Sequence, residues 1–214
     1  MKITIISEPN TWFEKYNIVL SDALSELGHA VNIISEIEQI ESGDILFALS
    51  LYKLIKKEYL SKNRHNIVIH ESDLPAGKGW SPLSWQVLEG KNNIIFSLFE
   101  IDEKMDNGNI YFKDELILIG VELNDELREL QAKKRIEMCL KFVNSFPWKS
   151  FPQIGAESFY KKRGKDSSLL DVNKSIADQF DLLRIVDNEH YPAFFNFRGK
   201  KFKLKIENYD EDPI

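Results

Sequence analysis

From its start the chain alternates short β-branched runs with longer amphipathic ones, and that rhythm leaves few folds open. Residues 2–7 form a β-branched strand that opens onto the loop Ser7-Glu8-Pro9-Asn10. Over 11–27, apolar residues at Phe13, Ile18, Val19, Ala23, Leu24 and Leu27 have the spacing of an amphipathic helix. Gly28 follows as a C-terminal stop and residues 30–34 are the next strand, so the opening third reads β-α-β. Residues 45–49 repeat the strand signature, 52–60 read as a helix, and 66–70 are a fourth apolar strand. Parallel neighbours need a connection long enough to hold a helix, so this alternation predicts an α/β fold with a mostly parallel sheet flanked by helices.

Binding sites in such sheets lie beyond the carboxyl ends of the strands, which directs attention to the loops after Ser7, Leu49 and Ile69. None of the ten glycines forms a phosphate-cradling loop there, which argues against a dinucleotide or ATP site. Further along, 82–88 suits a helix with Pro82 in its first turn, 94–99 and 110–119 are strands, and 124–146 is a long amphipathic helix. From Pro147 the texture changes: two prolines, Trp148, a polar run over 161–168, a helix near 172–185 and a hairpin over 194–206 around Gly199. The chain is therefore expected to divide into a catalytic domain, 1–146, and a small C-terminal α+β subdomain, 147–214, ending in a β-hairpin.

Composition narrows the function. Hydrophobic residues make up 43% and charged residues 29% of the 214, ordinary for a globular chain. Cys139 is the only cysteine, so no intrachain disulfide or thiolate-rich metal site can form, and a reducing, cytoplasmic setting is expected. No secretory signal is read at the start, and no apolar run approaches the roughly 18 residues of a membrane span. A formal net charge of −6 opposes a large nucleic-acid partner.

Two short segments carry chemistry. His70 closes an apolar strand where active-site loops begin, in the run His70-Glu71-Ser72-Asp73-Leu74-Pro75, followed by Gly79-Trp80-Ser81-Pro82. An imidazole there exchanges protons near neutral pH; the plain alternative is a satisfied structural histidine. Asp106-Asn107-Gly108-Asn109-Ile110 is a turn before a strand, and an aspartate on it can orient an imidazole. Asp-Asn-Gly is equally an ordinary turn composition.

The joint pattern, His70-x-Ser72-x-Leu74-Pro75 with Gly79 and Pro82, then Asp106-x-Gly108-x-Ile110, resembles the formyltransferase family that uses N10-formyltetrahydrofolate, over roughly 45–206. The resemblance implies a Rossmann-like catalytic domain and catalytic roles for His70 and Asp106. It implies a folate wall at Ser50, Leu51, Tyr52, Asp102, Lys104 and Met105, and substrate contacts at Lys78, Gly79 and Trp80. No metal is called for, the folate being a cosubstrate. One departure stands out: the family asparagine two residues before the histidine is Val68 here, and Asn66 lies a further 6–7 Å back, about two strand steps. Protonated His70, a backbone N–H of the 77–79 loop, or Ser72 are candidate substitutes for the missing donor.

Arg163, Asp166-Ser167, Leu170-Asp171, Leu183-Arg184, Asp187 and Tyr191-Pro192-Ala193-Phe194 resemble the segment that follows the catalytic domain in methionyl-tRNA and amino-sugar formyltransferases. The acidic Tyr209-Asp210-Glu211-Asp212 would repel RNA, so a nucleotide-linked amino sugar, best a UDP-4-amino-4,6-dideoxy sugar, is the expected acceptor. The amino-sugar branch also implies a homodimer, for which the hairpin offers an edge; the same hairpin can instead pack on its own domain. Alternatives from other classes are a formyltransferase for a peptide or purine-precursor amine, a nucleotide-sugar epimerase or reductase, and a folate- or sugar-nucleotide-binding module without turnover. Lys161-Lys162-Arg163 is read as a diphosphate contact or a solvated face, His29 and His65 as surface residues, and Cys139 as inert core.

Overall fold

The structure, a computed structural model, describes residues 1–145 and 147–209. Six strands form one twisted sheet: β1 (Lys2–Ile6), β2 (Ala30–Ile34), β3 (Gly43–Ala48), β4 (Asn63–His70), β6 (Asn93–Glu100) and β7 (Ile110–Ile117), in the order β2-β1-β3-β4-β6-β7. The first four are parallel; β6 is antiparallel to both its neighbours, β4 and β7, so β7 again runs with the first four. The chain leaves β1 towards β2 and returns past it to β3, so the strand order reverses between β1 and β3. The crevice beyond their carboxyl ends is where such sheets bind ligands.

The strand residues alternate between two unequal cores. Ile3, Ile5, Ile45, Phe47, Ile67 and Ile69 face helices α1 (Glu14–Glu26), α3 (Pro82–Leu88) and α4 (Asn124–Asn144) in the larger one. Ile6, Leu46 and Ala48 face a thinner cover built from Ile40, Ile55 and Leu60, the last on the short helix α2 (Lys57–Leu60). Val68 and His70 share that thinly covered face by the two-residue period of a strand.

Several expected elements differ in detail. The buried side of α1 is Asn17, Leu20 and Leu24, whereas Ile18 and Val19 are exposed. Asn17 takes the inward position because its amide donates to Ser7 Oγ at 2.6 Å, satisfying a polar group at the sheet's end. The helix expected over 52–60 shrinks to Lys57–Leu60, since Ser50 turns left-handed (φ 59) and 51–56 stay non-helical. The helix expected near 172–185 is a single turn, α5 (Phe180–Arg184), entered through a 3-10 turn. Before it, Asp171 Oδ1 accepts Asn173 N and Asp178 Oδ2 accepts Ser175 N, side-chain bonds that compete with a helix. Helix α4 ends at Asn144; Phe146 and the acidic residues from Asp210 onward lie outside the described residues.

The boundary expected after residue 146 is not a gap in the structure. A small core of Leu183, Val186 and Ala193 does form beside the hairpin β9 (Ala193–Phe197) and β10 (Lys200–Leu204). Yet the fully buried Arg184 bonds to Glu122 and Asn92. Phe151 pairs with Ile110, and β8 (Phe159–Tyr160) pairs in parallel with β5 (Lys78–Gly79). The chain beyond 146 thus returns to the loops that carry His70 and Asp106. Among the described residues no helix is long and apolar enough to cross a membrane.

Candidate active site

His70 ends β4 on the thinly covered face with only 9% of its side chain exposed. Its Nε2 lies 2.8 Å from Gly77 O, and a carbonyl only accepts, so this nitrogen carries the proton when the ring is neutral. The lone pair of Nδ1 is then the edge turned towards Asp106, whose Oδ1 is 3.8 Å away. That separation exceeds a hydrogen bond, so the expected direct orientation of the imidazole by Asp106 is replaced by a different arrangement. Gly77 O orients the ring, and Gly79 N donates to Asp106 Oδ2 at 2.8 Å to orient the carboxylate.

Both halves need backbone that other residues cannot supply. Asp106 is left-handed (φ 51), and a Cβ on Gly108 would fall 1.6 Å from Glu100 O, so the turn presses flush on the end of β6. Gly79 has φ +101, and a Cβ there would meet Tyr160 O at 2.5 Å. The Asp-Asn-Gly composition that reads as an ordinary turn therefore also serves to aim Asp106.

Around this pair the other expected residues divide. Asp102 and Lys104 line a cavity of about 400 Å³ with Lys57, Leu60, Glu103 and Asn107. Leu51 packs on the apolar cluster beneath it, and Met105 is half exposed. Tyr52 stacks on Trp80 at 5.7 Å and 21°, and Lys162 Nζ lies 4.5 Å from the Trp80 ring centre, forming an aromatic and cationic rim. Ser50 is committed to structure, its Oγ accepting from Arg135 at 3.0 Å. Lys78, expected at the substrate, is instead 2% exposed, its ammonium bonded to Glu157 Oε1 at 2.6 Å and Asn107 Oδ1 at 3.2 Å. The Asn66 amide is spent on Leu60 O and Glu100 Oε1, so it offers nothing to the reacting centre. Ser72 Oγ is buried with no hydrogen-bond partner among the described residues.

Sequence reasoning missed the ion pair at the top of the larger core. Arg135 Nε bonds Glu71 Oε1 at 2.6 Å while its guanidinium lies over the rings of Trp12 and Phe13. Burial pushes the Glu71 carboxyl up, but the Arg135 guanidinium outweighs it and holds the group below the usual carboxylate range. Glu71 directly follows His70, and its charge alone could have flagged the pair: a glutamate closing an apolar strand needs a buried cation.

Residues 6–139, more than half of the chain, match the sequence profile of the family described as Formyl transferase. The methionyl-tRNA formyltransferase of Thermosipho melanesiensis is 28% identical over 173 residues, 81% of this chain and 55% of that protein. The chain thus spans little more than half the length of that curated relative. Among solved structures, a sugar N-formyltransferase from Shewanella sp superposes with a TM-score of 0.70 at 14% identity, covering 99% of each chain. HypX from Aquifex aeolicus in complex with tetrahydrofolic acid gives 0.77 at 18% identity over 96% of this chain and 37% of that one.

Proposed function

The chain belongs to the formyl transferase family, and from that premise we propose that it moves the formyl group of N10-formyltetrahydrofolate to the amine of a nucleotide-linked amino-deoxy sugar, best a UDP-4-amino-4,6-dideoxy sugar. The observation that carries the reading is the His70 Nδ1 lone pair, 3.8 Å from an aimed Asp106 carboxylate at the carboxyl end of the sheet.

The folate brings an already activated one-carbon unit; the chain supplies position and proton handling. The cavity by Asp102 and Lys104 abuts the Asp106 turn and rests on Leu60, a setting of one apolar wall and several polar groups that suits a flat heterocycle. Asp106 Oδ1 and His70 Nδ1 both accept, so an incoming primary amine can offer one N–H to each, which turns its lone pair towards the formyl carbon. As the new C–N bond forms, a proton of the amine passes to this pair, and from it to N10 as the bond to the carrier breaks. His70, once protonated, donates from Nδ1 towards the oxygen that becomes negative. The proposed contacts of the nucleotide-sugar are Gly79, whose amide holds Asp106, and the Trp80 ring beside Lys162.

A sugar acceptor is favoured by the net charge of −6, which opposes RNA. A tRNA acceptor is the second reading, because the relative from Thermosipho melanesiensis is a methionyl-tRNA formyltransferase. Purified protein is incubated with N10-formyltetrahydrofolate and, side by side, UDP- and dTDP-linked 3-amino and 4-amino sugars and methionyl-tRNA, with His70→Ala and Asp106→Asn in parallel. One sugar gaining a formyl group, with the gain lost in both variants, is the expected result. Formylated methionyl-tRNA selects the second reading, and no formylated amine at all overturns both.

A further inference from the structure

Resting on that reading, we infer that residues 151–160 are a brace that sets the His70–Asp106 separation, with Gln153 and Ser158 as its positioning residues. The two candidate catalytic groups share no direct hydrogen bond, so their spacing must come from whatever holds the 77–79 loop against the 106–108 turn. This segment bonds to both.

At one end Ile110 and Phe151 exchange two backbone hydrogen bonds of 2.8 and 2.9 Å, fixing the segment to the strand that follows the Asp106 turn. At the other, Lys78 N donates to Ser158 O at 2.9 Å and Trp80 N to Tyr160 O at 3.1 Å, fixing it to the loop that follows His70. Between these anchors two side chains reach the groups next to the reacting pair. Gln153 Nε2 donates to Asp106 O and to Gly108 O, each at 3.0 Å. Ser158 Oγ accepts Gly77 N at 2.8 Å, and Gly77 O is the acceptor that orients His70. Lys78 adds a cross-tie, its ammonium shared by Glu157 of the brace and Asn107 of the turn.

The left-handed Asp106 makes the brace necessary. A non-glycine residue keeps such a conformation only where its surroundings over-determine it. Gly108 is seated on Glu100 O on one side of the turn, and Gln153 takes up the two carbonyls on the other. With either side released, the turn can relax and Asp106 Oδ2 can leave Gly79 N. A misplacement of about 1 Å at a reacting centre costs on the order of a hundredfold in rate.

Two readouts test this on the full chain: kcat and KM for formyl transfer, and hydrogen exchange of the Gly79 amide by NMR, which needs no substrate. In Gln153→Ala, kcat is expected to fall about a hundredfold. In an Asp106→Ala background the same change should cost less than about threefold, because residues acting through one group are non-additive. Exchange at Gly79 should quicken roughly tenfold, as for one lost hydrogen bond. Ile154→Ser, at a strap position that is 86% exposed, should change neither. An equal kcat loss in both backgrounds, or unchanged kcat and Gly79 exchange in folded Gln153→Ala, overturns the brace. Should Gln153→Ala not fold, Ser158→Ala carries the same test with His70→Ala as its background and the Gly77 amide as its probe. If the wild type formylates no amine while Gly79 exchange still responds, the brace stands and the proposed activity falls.

Discussion

At the amino end of β4, His65 Nδ1 lies 2.8 Å from the Tyr111 hydroxyl, which donates onward to Glu100 Oε2 at 2.6 Å. Glu100 Oε1 accepts Asn66 N as well, so histidine, phenol and carboxylate close a bonded chain. At the carboxyl end, five residues later, His70 has one nitrogen tied to Gly77 O and the other facing a carboxylate across 3.8 Å. The same residue types give a satisfied network at one end of the strand and an open one at the other. The difference is position: loops gather beyond the carboxyl ends of parallel strands and leave a crevice, whereas the amino end of β4 is roofed by Tyr111 and Phe142.

The sharpest way to break this contrast is to remove each imidazole in turn. His70→Ala should lower kcat/KM for formyl transfer by on the order of 10²–10⁴-fold, beside a stability cost of about 1–3 kcal/mol for unpairing the buried Gly77 O. His65→Ala should leave kcat within about twofold and cost about 1–3 kcal/mol of stability, the penalty for unpairing a buried hydrogen-bond partner. Equal losses of activity in steady-state assays would show that the two ends are not distinct.

The ion pair behind His70 gives the next largest effect. Arg135→Ala strands the buried Glu71 carboxylate and should cost about 3–5 kcal/mol in urea unfolding, with Arg135→Ala/Glu71→Gln recovering much of it. Because the folded Glu71 carboxyl is held below its ordinary value of 4.5, the stability it contributes is complete above that pH. It is lost as pH falls through the lower, folded value. Acid unfolding of Glu71→Gln should therefore show a shallower limb below pH 4.5 than the wild type. An identical limb in both would mean the pair is not coupled to folding.

The smallest effect sits at the amino end. Burial, with the hydrogen bond to Glu100, pushes the Tyr111 phenol up, so it stays protonated and keeps donating throughout the neutral range. Tyr111→Phe should destabilise by about 1 kcal/mol in thermal melts and leave turnover unchanged. A change in kcat would tie this network to the reaction and weaken the contrast.

Much of the architecture was legible from residue patterns, since strand and helix periodicities are local. The run expected to be helical over 82–88, with Pro82 in its first turn, coincides with α3. His70 and Asp106 are legible as candidates through their flanking motifs. Helical phase was less legible: Ile18 and Val19 are apolar, yet the side of α1 that packs is chosen by Asn17, whose partner Ser7 lies across the loop. The burial of Lys78, which the resemblance puts at the substrate, is not legible because its partners, Asn107 and Glu157, are 29 and 79 residues away.

The sequence by itself determined the alternation that makes a mostly parallel sheet, the strand end on which His70 falls, and the glycines that let the Asp106 turn and the Gly79 loop approach other backbone. Only the tertiary structure decided that these two residues stand 3.8 Å apart without a bond, and that residues beyond 146 hold them there. Periodicity and turn chemistry act over a few residues and are written locally. A separation between two side chains depends on hydrogen bonds such as those of Gln153 and Ser158, which form only once distant segments have met.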